Sequence, residues 1–398
     1  MSEPETAQGE RGMSEPESPQ GELTVGVVRQ DDAGERRVAL VPESVARLAA
    51  LGLGTVVQEG AGAAAWFPDA EYAAAGATVL PGQAVYERAD VVVCVHPPEG
   101  APLRAGQLLL GLLQPLLQPA LARRLAEAKV SAVSLDGLPR TLSRAQSMDA
   151  LTSQANVAGY KAAVLAADLY GGYFPMLMTA AGTVRPASVL VLGAGVAGLQ
   201  AIGTARRLGA VVTGYDVRQA ARADIASTGA SVLDLGTEAT GEGGYARELT
   251  AEEAAGQQDA MAAAVARFDV VITTAQVPGR TPPVLVTAEA LAAMRPGSVV
   301  VDLAASDLGG NVVGSAPERT LVTDAGVTVV GAGNLAAAVP RAASTAYARN
   351  VVALLSHLVA DGRIVFDPAD EITAGVLVTH GGEVVHPAVR ELLNGDPA

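Results

Sequence analysis

The sequence predicts an α/β protein built on doubly wound parallel sheets, and three observations carry that prediction. Short Val-rich runs alternate with Ala/Leu-rich stretches along most of the chain, the pattern of strands buried on both faces between crossover helices. Apolar residues make up 49% of 398 residues and aromatic ones 3%, enough to bury two cores of ordinary size and unlike a disordered or fibrous composition. A glycine-rich turn within "VLVLGAGVAGLQ" stands between one apolar run and one helical pattern, where such sheets bind ligands.

Residues 1–22, "MSEPETAQGERGMSEPESPQGE", repeat MSEPE and QGE. They are acidic and lack both a basic start and an apolar stretch, so they read as a flexible tail, with Met13 a second candidate start. From Leu23 the pattern is strand, helix, strand: "LTVGVVR", "PESVARLAALG", "GTVVQEG". It continues through "ATVL", "DVVVCVH", "QLLLGLL", the helical "PALARRLAEAK" and the strand-like "VSAVSLD". These form a first domain over 23–145. The spacing of Ala, Val and Leu then predicts one long helix over 147–170.

A second series opens with "SVLVLG" and occupies 165–335, with strands expected at 188–193, 211–216, 231–235, 269–275, 298–304 and 327–331. A further helical stretch, "RAASTAYARNVVALLSHLVADG", leads to a segment holding "ITAGVLVTHGGEVVHP". Long helices within 146–164 and 341–358 bracket the second series, so 341–398 is expected to return and complete the first domain. Three consecutive segments are the alternative.

The formal net charge of −15 argues against nucleic acid as a partner, because phosphate binding needs a basic face. Cys94 is the sole cysteine, which excludes an internal disulfide, fits a reducing compartment and reads as a small buried strand residue. Histidines at 96, 357, 380 and 386 lack metal-ligand spacing, and no metal is expected. No run of about 18 uninterrupted apolar residues occurs, so direct membrane insertion is not expected.

Gly193, Gly195 and Gly198 form G-x-G-x-x-G after an apolar strand. The first glycine permits a tight turn, the second close approach of a pyrophosphate, the third close packing of helix on strand. The helix N-terminus offers free N–H groups to phosphate. The next strand ends in "TGYD", placing Asp216 where an acid accepts hydrogen bonds from ribose hydroxyls and repels the extra phosphate of NADP. The implied cofactor is NAD(H), with Arg218 two residues on as a countercharge.

A second feature is "SRAQSMDALTSQANVAGYKAAV" at 143–164. It concentrates Arg144, Gln146, Ser147, Asp149, Thr152, Ser153, Gln154 and Asn156, yet has no His or Cys, and Lys161 comes only after the polar cluster. Oxidising an amine or alcohol requires a group that removes a proton as the hydride leaves. Passing a hydride from one nicotinamide ring to another requires position instead.

With "GERRVALVPESVARLAALG", "TAAGTVRPASVLVLGAGVAGL", "GEGGYARELT", "TTAQVPGRTPP", "GSVVVDLAASDLGGN" and "GEVVHP", this block resembles the alanine dehydrogenase/pyridine nucleotide transhydrogenase family. Within it the likeness is to the NAD(H)-binding component of proton-translocating, Si-specific NAD(P) transhydrogenases, over nearly the whole chain after residue 22. The resemblance implies two Rossmann-like domains with the nucleotide in the cleft between them. It places Arg140, Gln146, Asp149 and Thr152 at the reacting ring, Gln146 holding it near its partner. It places Gly193, Gly195, Val196, Ala197, Gly198, Asp216, Val217, Arg218, Thr274, Ala275, Gln276, Asn334 and Leu335 on the cofactor, with Gly244 and Tyr245 on a loop that closes over it. It implies a homodimer, NADP(H) on a partner subunit, and membrane-spanning partner subunits that hold this chain at the cytoplasmic face of the inner membrane.

Differences from the family pattern cluster near this site. "PRTLSRAQ" holds an extra residue, Thr152 stands for Ser, Gln276 for an apolar residue, Ala336 for proline, and "VDLAASDLGGN" is one residue long. Where alanine dehydrogenases carry a lysine pair this chain reads "CVHPP", and Gln114 stands for their histidine, while Arg37 matches their carboxylate-binding arginine. Two other functions stay open at this point: an amino-acid dehydrogenase using Arg37 and His96, and a catalytically idle NAD(H)-binding regulatory protein.

Overall fold

The computed structural model describes residues 23–235, 251–276 and 281–395; the acidic tail lies outside them. The first series runs β1 (Thr24–Val27), α1 (Pro42–Ala50), β2 (Gly54–Gln58), α2 (Asp69–Ala74), β3 (Thr78–Leu80), α3 (Gly82–Arg88), β4 (Val91–Val93), β5 (Leu108–Gly111), α4 (Pro119–Glu127) and β6 (Ser131–Ser134). Pro42 and Pro119 open their helices, where a fixed φ and a missing N–H cost nothing. The long α5 (Ala150–Leu169) and a hairpin of β7 (Leu177–Thr179) and β8 (Gly182–Val184) follow.

The second series is β9 (Ser188–Leu192), α6 (Val196–Arg207), β10 (Val211–Tyr215), α7 (Gln219–Ser227), β11 (Ser231–Val232), α8 (Ala251–Val265), β12 (Val270–Thr273), α9 (Ala288–Ala293), β13 (Val299–Asp302), β14 (Thr320–Val322) and β15 (Thr328–Gly331). The chain ends with α10 (Pro340–Leu358), β16 (Val359–Ala360), β17 (Arg363–Ile364), α11 (Glu371–Val376), β18 (Leu377–His380), β19 (Glu383–Val384) and α12 (Pro387–Asn394).

Two sheets result. One has the order β19-β18-β6-β5-β4-β1-β2-β3, the other β11-β10-β9-β12-β13-β15-β14. Six strands of each run parallel, with β18 and β19 antiparallel additions to the first and β14 to the second. The inner parallel strands β1, β4, β5, β9, β12 and β13 are almost wholly buried, which is why they read as Val- and Leu-rich runs without alternation. Strand order reverses between β1 and β4 in the first sheet and between β9 and β12 in the second, the points where crevices open at strand carboxyl ends.

Helix α5 belongs to both cores. Ala150 at its start packs with β1, β4 and α10, whereas Ala162, Ala163 and Ala166 pack with β9, β12 and α6. The expected unbroken helix over 147–170 is corrected: a 3-10 turn spans Ser143–Met148 and the α-helix starts at Ala150. Asp149 between them has φ −74 and ψ 87 and accepts from the Thr152 amide, so it caps the helix rather than continuing it. Among the described residues no helix is long and apolar enough to cross a membrane.

Candidate functional site

The glycine turn sits at the β9/β12 crevice. Gly193 has φ +101, a conformation a side chain would strain, and a Cβ there would lie 2.5 Å from Thr274 Oγ1. A Cβ on Gly198 would meet the Gly193 carbonyl oxygen at 1.8 Å. Only hydrogen fits between helix and turn. Gly195 differs, because its Cβ would meet nothing within 4 Å and its backbone is extended, φ −78 and ψ −168. Gly195 is the N-cap of α6, makes no side-chain cap and is followed by Val196 and Ala197 in the first helical turn. Open space at Gly195 and uncapped amides beside it fit the phosphates of a dinucleotide.

Asp216 follows β10 and faces the same turn. Its Oδ2 accepts from the Ala194 amide at 2.8 Å, and its Oδ1 from the Arg218 amide at 2.9 Å. The Arg218 side chain adds two bonds of 3.0 Å, Nε to Oδ1 and Nη2 to Oδ2. Burial raises the Asp216 pKa, but the bonds from Arg218 and Ala194 more than offset this and hold it below the ordinary value. Arg218 therefore occupies both oxygens of the Asp216 carboxylate, and Val217 beside it is exposed.

After β12, Thr274 Oγ1 donates to the Gly193 carbonyl at 3.1 Å. Ala275 is braced by Asn311, whose Oδ1 accepts from the Ala275 amide at 2.9 Å and whose Nδ2 donates to the Ala275 carbonyl at 2.9 Å. Gln276 turns its amide back to the Leu303 carbonyl, 2.7 Å away. Asn311 is wholly buried and is a residue that sequence reasoning misses; its signal is an Asn after paired glycines in "DLGGN". Gly244 and Tyr245 lie outside the described residues.

The polar block is ordered from within. Asp149 is buried, and its Oδ1 accepts from the Thr152 amide at 2.8 Å while Oδ2 accepts from Thr152 Oγ1 at 2.6 Å. Arg140 reaches both, Nε to Asp149 Oδ2 at 3.1 Å and Nη2 to Thr152 Oγ1 at 3.0 Å. The extra residue in "PRTLSRAQ" thus leaves Arg140 on the block. Gln146 is exposed, and its amide has no hydrogen-bond partner among the described residues. Arg144 faces away, to Asp370 at 2.8 Å and Glu371 at 3.3 Å.

Helix α5 carries this block to the glycine turn. A Cβ on Gly159 would lie 2.1 Å from the Ala197 carbonyl oxygen, so α5 crosses α6 backbone to backbone within the GAGVAG segment. Asn156 Nδ2 donates to Gln200 Oε1 at 3.1 Å beside that crossing. Three α5 residues separate the Asn156 contact from Thr152. A glycine inside a helical pattern is the local signal for this close approach.

Asn334 faces the loop after β1. Its Nδ2 donates to Glu35 Oε2 at 3.2 Å and its Oδ1 accepts from Arg37 Nη2 at 3.3 Å. Leu335 after it packs on the second core. Arg37 is buried, its Nε and Nη2 on Glu35 and its Nη1 on Gln154 Oε1 at 2.9 Å. Cys94 is buried, and its thiol faces the Leu110 carbonyl. Among the described residues no three His, Cys, Asp or Glu side chains are grouped to hold a metal ion.

Comparison with known proteins agrees with this architecture. The family model "Alanine dehydrogenase/PNT, N-terminal domain" matches residues 26–158 and its C-terminal counterpart matches residues 162–387. NAD(P) transhydrogenase subunit alpha of Cereibacter sphaeroides is 42% identical over 375 residues, 92% of this chain and 71% of that one. In Haemophilus influenzae, NAD(P) transhydrogenase subunit alpha is 37% identical over 373 residues, 92% of this chain and 72% of that one. The crystal structure of transhydrogenase from Sinorhizobium meliloti superposes with a TM-score of 0.80 at 41% identity, covering 92% of this chain and 99% of the other. With both halves matched in order and the glycine turn, capped block and helix crossing in place, the chain belongs to the alanine dehydrogenase/PNT family.

Proposed function

We propose that this chain is the NAD(H)-binding subunit of a proton-translocating NAD(P) transhydrogenase, and that it presents NADH for direct hydride transfer to NADP+ held on a partner subunit. The two relatives above are named as alpha subunits of NAD(P) transhydrogenases, and the site here suits the task. One observation carries the reading: a polar cluster without His, Cys or Lys, its one carboxylate taken up by Thr152 and Arg140, is anchored to the glycine turn through the Gly159–Ala197 crossing.

Each group then has a positioning role. The α6 amides and the open face of Gly195 receive the pyrophosphate, and Asp216 receives the ribose once Arg218 yields its bonds. Arg140, Asp149 and Thr152 form a rigid edge from which Gln146 projects. An exposed amide with unused donor and acceptor can hold a ring at the reaction distance of roughly 3–3.5 Å. No residue has to accept a proton.

Amino-acid oxidation is disfavoured by Arg37. Its guanidinium is 4% exposed and already serves Glu35, Gln154 and Asn334, so a substrate carboxylate would have to break a buried ion pair. That exchange is costly.

Membrane coupling and the NADP(H) site belong in this reading to partner subunits, which would hold the chain at the cytoplasmic membrane face. A homodimer is part of the same reading. Met178 and Val184 of the β7–β8 hairpin and Met176 just before it are more than two-fifths exposed, and a two-stranded ribbon is marginal in water unless something covers it.

The test is a hydride-transfer assay on the purified chain. Alone it should bind NADH with almost no turnover, and adding an NADP(H)-binding partner should start rapid transfer between nicotinamide analogues. Turnover of an amino acid without a partner would refute the reading, as would NADH binding that never leads to transfer.

A further inference from the structure

The boundary between the two sheets holds a polar cluster that hydride transfer does not use. Glu35, in the loop after β1, is buried with 1% side-chain exposure. Its Oε1 accepts from the amides of Arg36 at 3.0 Å and Arg37 at 2.8 Å and from Arg37 Nε at 2.8 Å. Its Oε2 accepts from Arg37 Nη2 at 2.5 Å and Asn334 Nδ2 at 3.2 Å. Burial pushes the Glu35 carboxyl up, but the bonds from Arg37 and His96 and the charge of Arg37 hold it well below the usual carboxylate range.

Asn334 comes from the other sheet, in the loop after β15. Its carboxamide faces the ion pair with both ends, Nδ2 on Glu35 and Oδ1 on Arg37 at 3.3 Å. His96, after β4, places Nε2 at 3.1 Å from both Glu35 Oε2 and Arg37 Nη2. Arg37 also reaches Gln154 on α5, whose Nε2 donates to the Ala343 carbonyl on α10. One guanidinium thus joins loops of both sheets and α5, and through Gln154 reaches α10. Among the described residues, no other hydrogen bond joins the loops of the first sheet directly to those of the second.

A buried ion pair is weak evidence for stability, since apolar residues of similar volume often do as well; its best-attested use is to fix a unique arrangement. Here the arrangement is the angle between the lobes. Ala145, Met148 and Ala150 beside Gln146 pack in the first core while α6 after the Gly193 turn packs in the second, so a change of that angle swings the block about the fixed Gly159–Ala197 crossing.

We propose that Glu35 and Arg37 form an interlobe clasp which grips Asn334, sets the closure of the cleft and so positions the Gln146 block against the bound nucleotide. Its catalytic consequence rests on the hydride-transfer reading, whereas its geometry does not. Asn334 is thereby a positioning residue rather than a ligand of the cofactor. Nδ2 and Oδ1 of its side chain each make one bond to the clasp.

The test compares the full chain with Asn334→Ala, Arg37→Lys and the double variant. Asn334→Ala leaves the buried pair intact, so the fold is retained. Arg37→Lys keeps the charge and loses the fork, because one ammonium cannot reach Glu35, Gln154 and Asn334 together. Amide hydrogen exchange without nucleotide should rise about fivefold or more over 28–37 and 331–338 in each single variant, with β1 and β9 unchanged. The double variant should exceed either single one by little, since both remove the same grip. Single-turnover transfer with partner should fall about tenfold or more while NADH affinity changes by less than about threefold. Unchanged exchange in both segments overturns the clasp, and so does an NADH affinity that falls as far as the rate, which makes Asn334 a cofactor ligand. If the wild-type chain transfers no hydride with any partner, the functional reading fails while the exchange comparison still decides the clasp.

Discussion

Replacing Gly198 with Ala tests the glycine turn through the fold, and replacing Gly195 tests it through the ligand. The Gly198 Cβ would sit 1.8 Å from the Gly193 oxygen and 2.9 Å from its carbonyl carbon. That is roughly 1.5–2 Å inside the van der Waals optimum for the nearer atom. Both opposing atoms are backbone, so no rotamer change relieves them and either α6 or the turn must move. Overpacking of this kind costs about 3 kcal/mol, which lowers Tm by roughly 6–12 °C for a lobe of this size. The displaced turn should also lose NADH. Gly195→Ala meets no atom within 4 Å and keeps a conformation any residue adopts, so its stability should stay within about 0.5 kcal/mol of wild type. Its methyl would nonetheless stand in the open space proposed for the pyrophosphate, and NADH affinity should drop about tenfold or more, or about 1.4 kcal/mol. Thermal melting by circular dichroism and NADH titration by fluorescence read both effects. A Gly195→Ala chain that binds NADH like wild type would show that the pyrophosphate lies elsewhere, and a Gly198→Ala chain with unaltered Tm would refute the packing argument.

Further outcomes follow from the same geometry. Arg218→Ala frees the Asp216 carboxylate, so preference for NADH over NADPH should rise severalfold in competition titrations; a fall would mean that Arg218, not Asp216, contacts the ribose. Gln146→Asn shortens the projecting amide by one methylene, and the transfer rate should drop about tenfold or more with NADH affinity nearly constant; equal losses in both would remove Gln146 from the reaction. Asp370 accepts from the Thr373 amide and hydroxyl, His357 and Arg144 at 2.8–2.9 Å, and Asp370→Asn should cost about 1–2 kcal/mol as a weakened cap. Burial raises the Asp370 pKa, but those bonds more than offset it and hold it below its unfolded value. Its stabilisation is therefore complete above the unfolded pKa of about 4 and fades as pH falls through the folded one. Denaturant melts of wild type and Asp370→Asn should differ at neutral pH and converge in strong acid, where the carboxyl is protonated; a gap that persists undiminished in strong acid contradicts the sign.

Sequence legibility follows the range of the interactions. Strand positions, the glycine turn and the placement of Asp216 after a strand are legible because Val runs and a strand–turn–helix signature are local patterns. The Asp149 break is not, although Asp149 and Thr152 are three apart, because the Ala/Val spacing of 150–169 continues smoothly upstream through Ala145 and Met148, both buried in the first core. The antiparallel edge strand β14 escapes notice because "TLV" is too short to show a period. The contact between Asn334 and Glu35 is not legible, since nothing local shows that two residues 299 positions apart face each other. Arg37 stays open between packing and binding for the same reason, and only its three-dimensional partners decide that its charge is already spent.

The rigid and free parts of the site divide in a way that fits a reaction between two polypeptides. A misplacement of about 1 Å can cost about a hundredfold in rate, so the frame must resist relaxation. Gly159 on Ala197 and Gly198 on Gly193 are contacts with backbone, which no side-chain rotation can loosen. Arg140, Asp149 and Thr152 bond among themselves at 2.6–3.1 Å, leaving none of these three to reorient. The freedom is confined to the exposed Gln146, on the edge of the block. In an enzyme acting on a small metabolite the variable element would be enclosed with the substrate. An exposed variable element on a fixed frame suits an acceptor that arrives on another macromolecule, whose surface completes the alignment only when it docks.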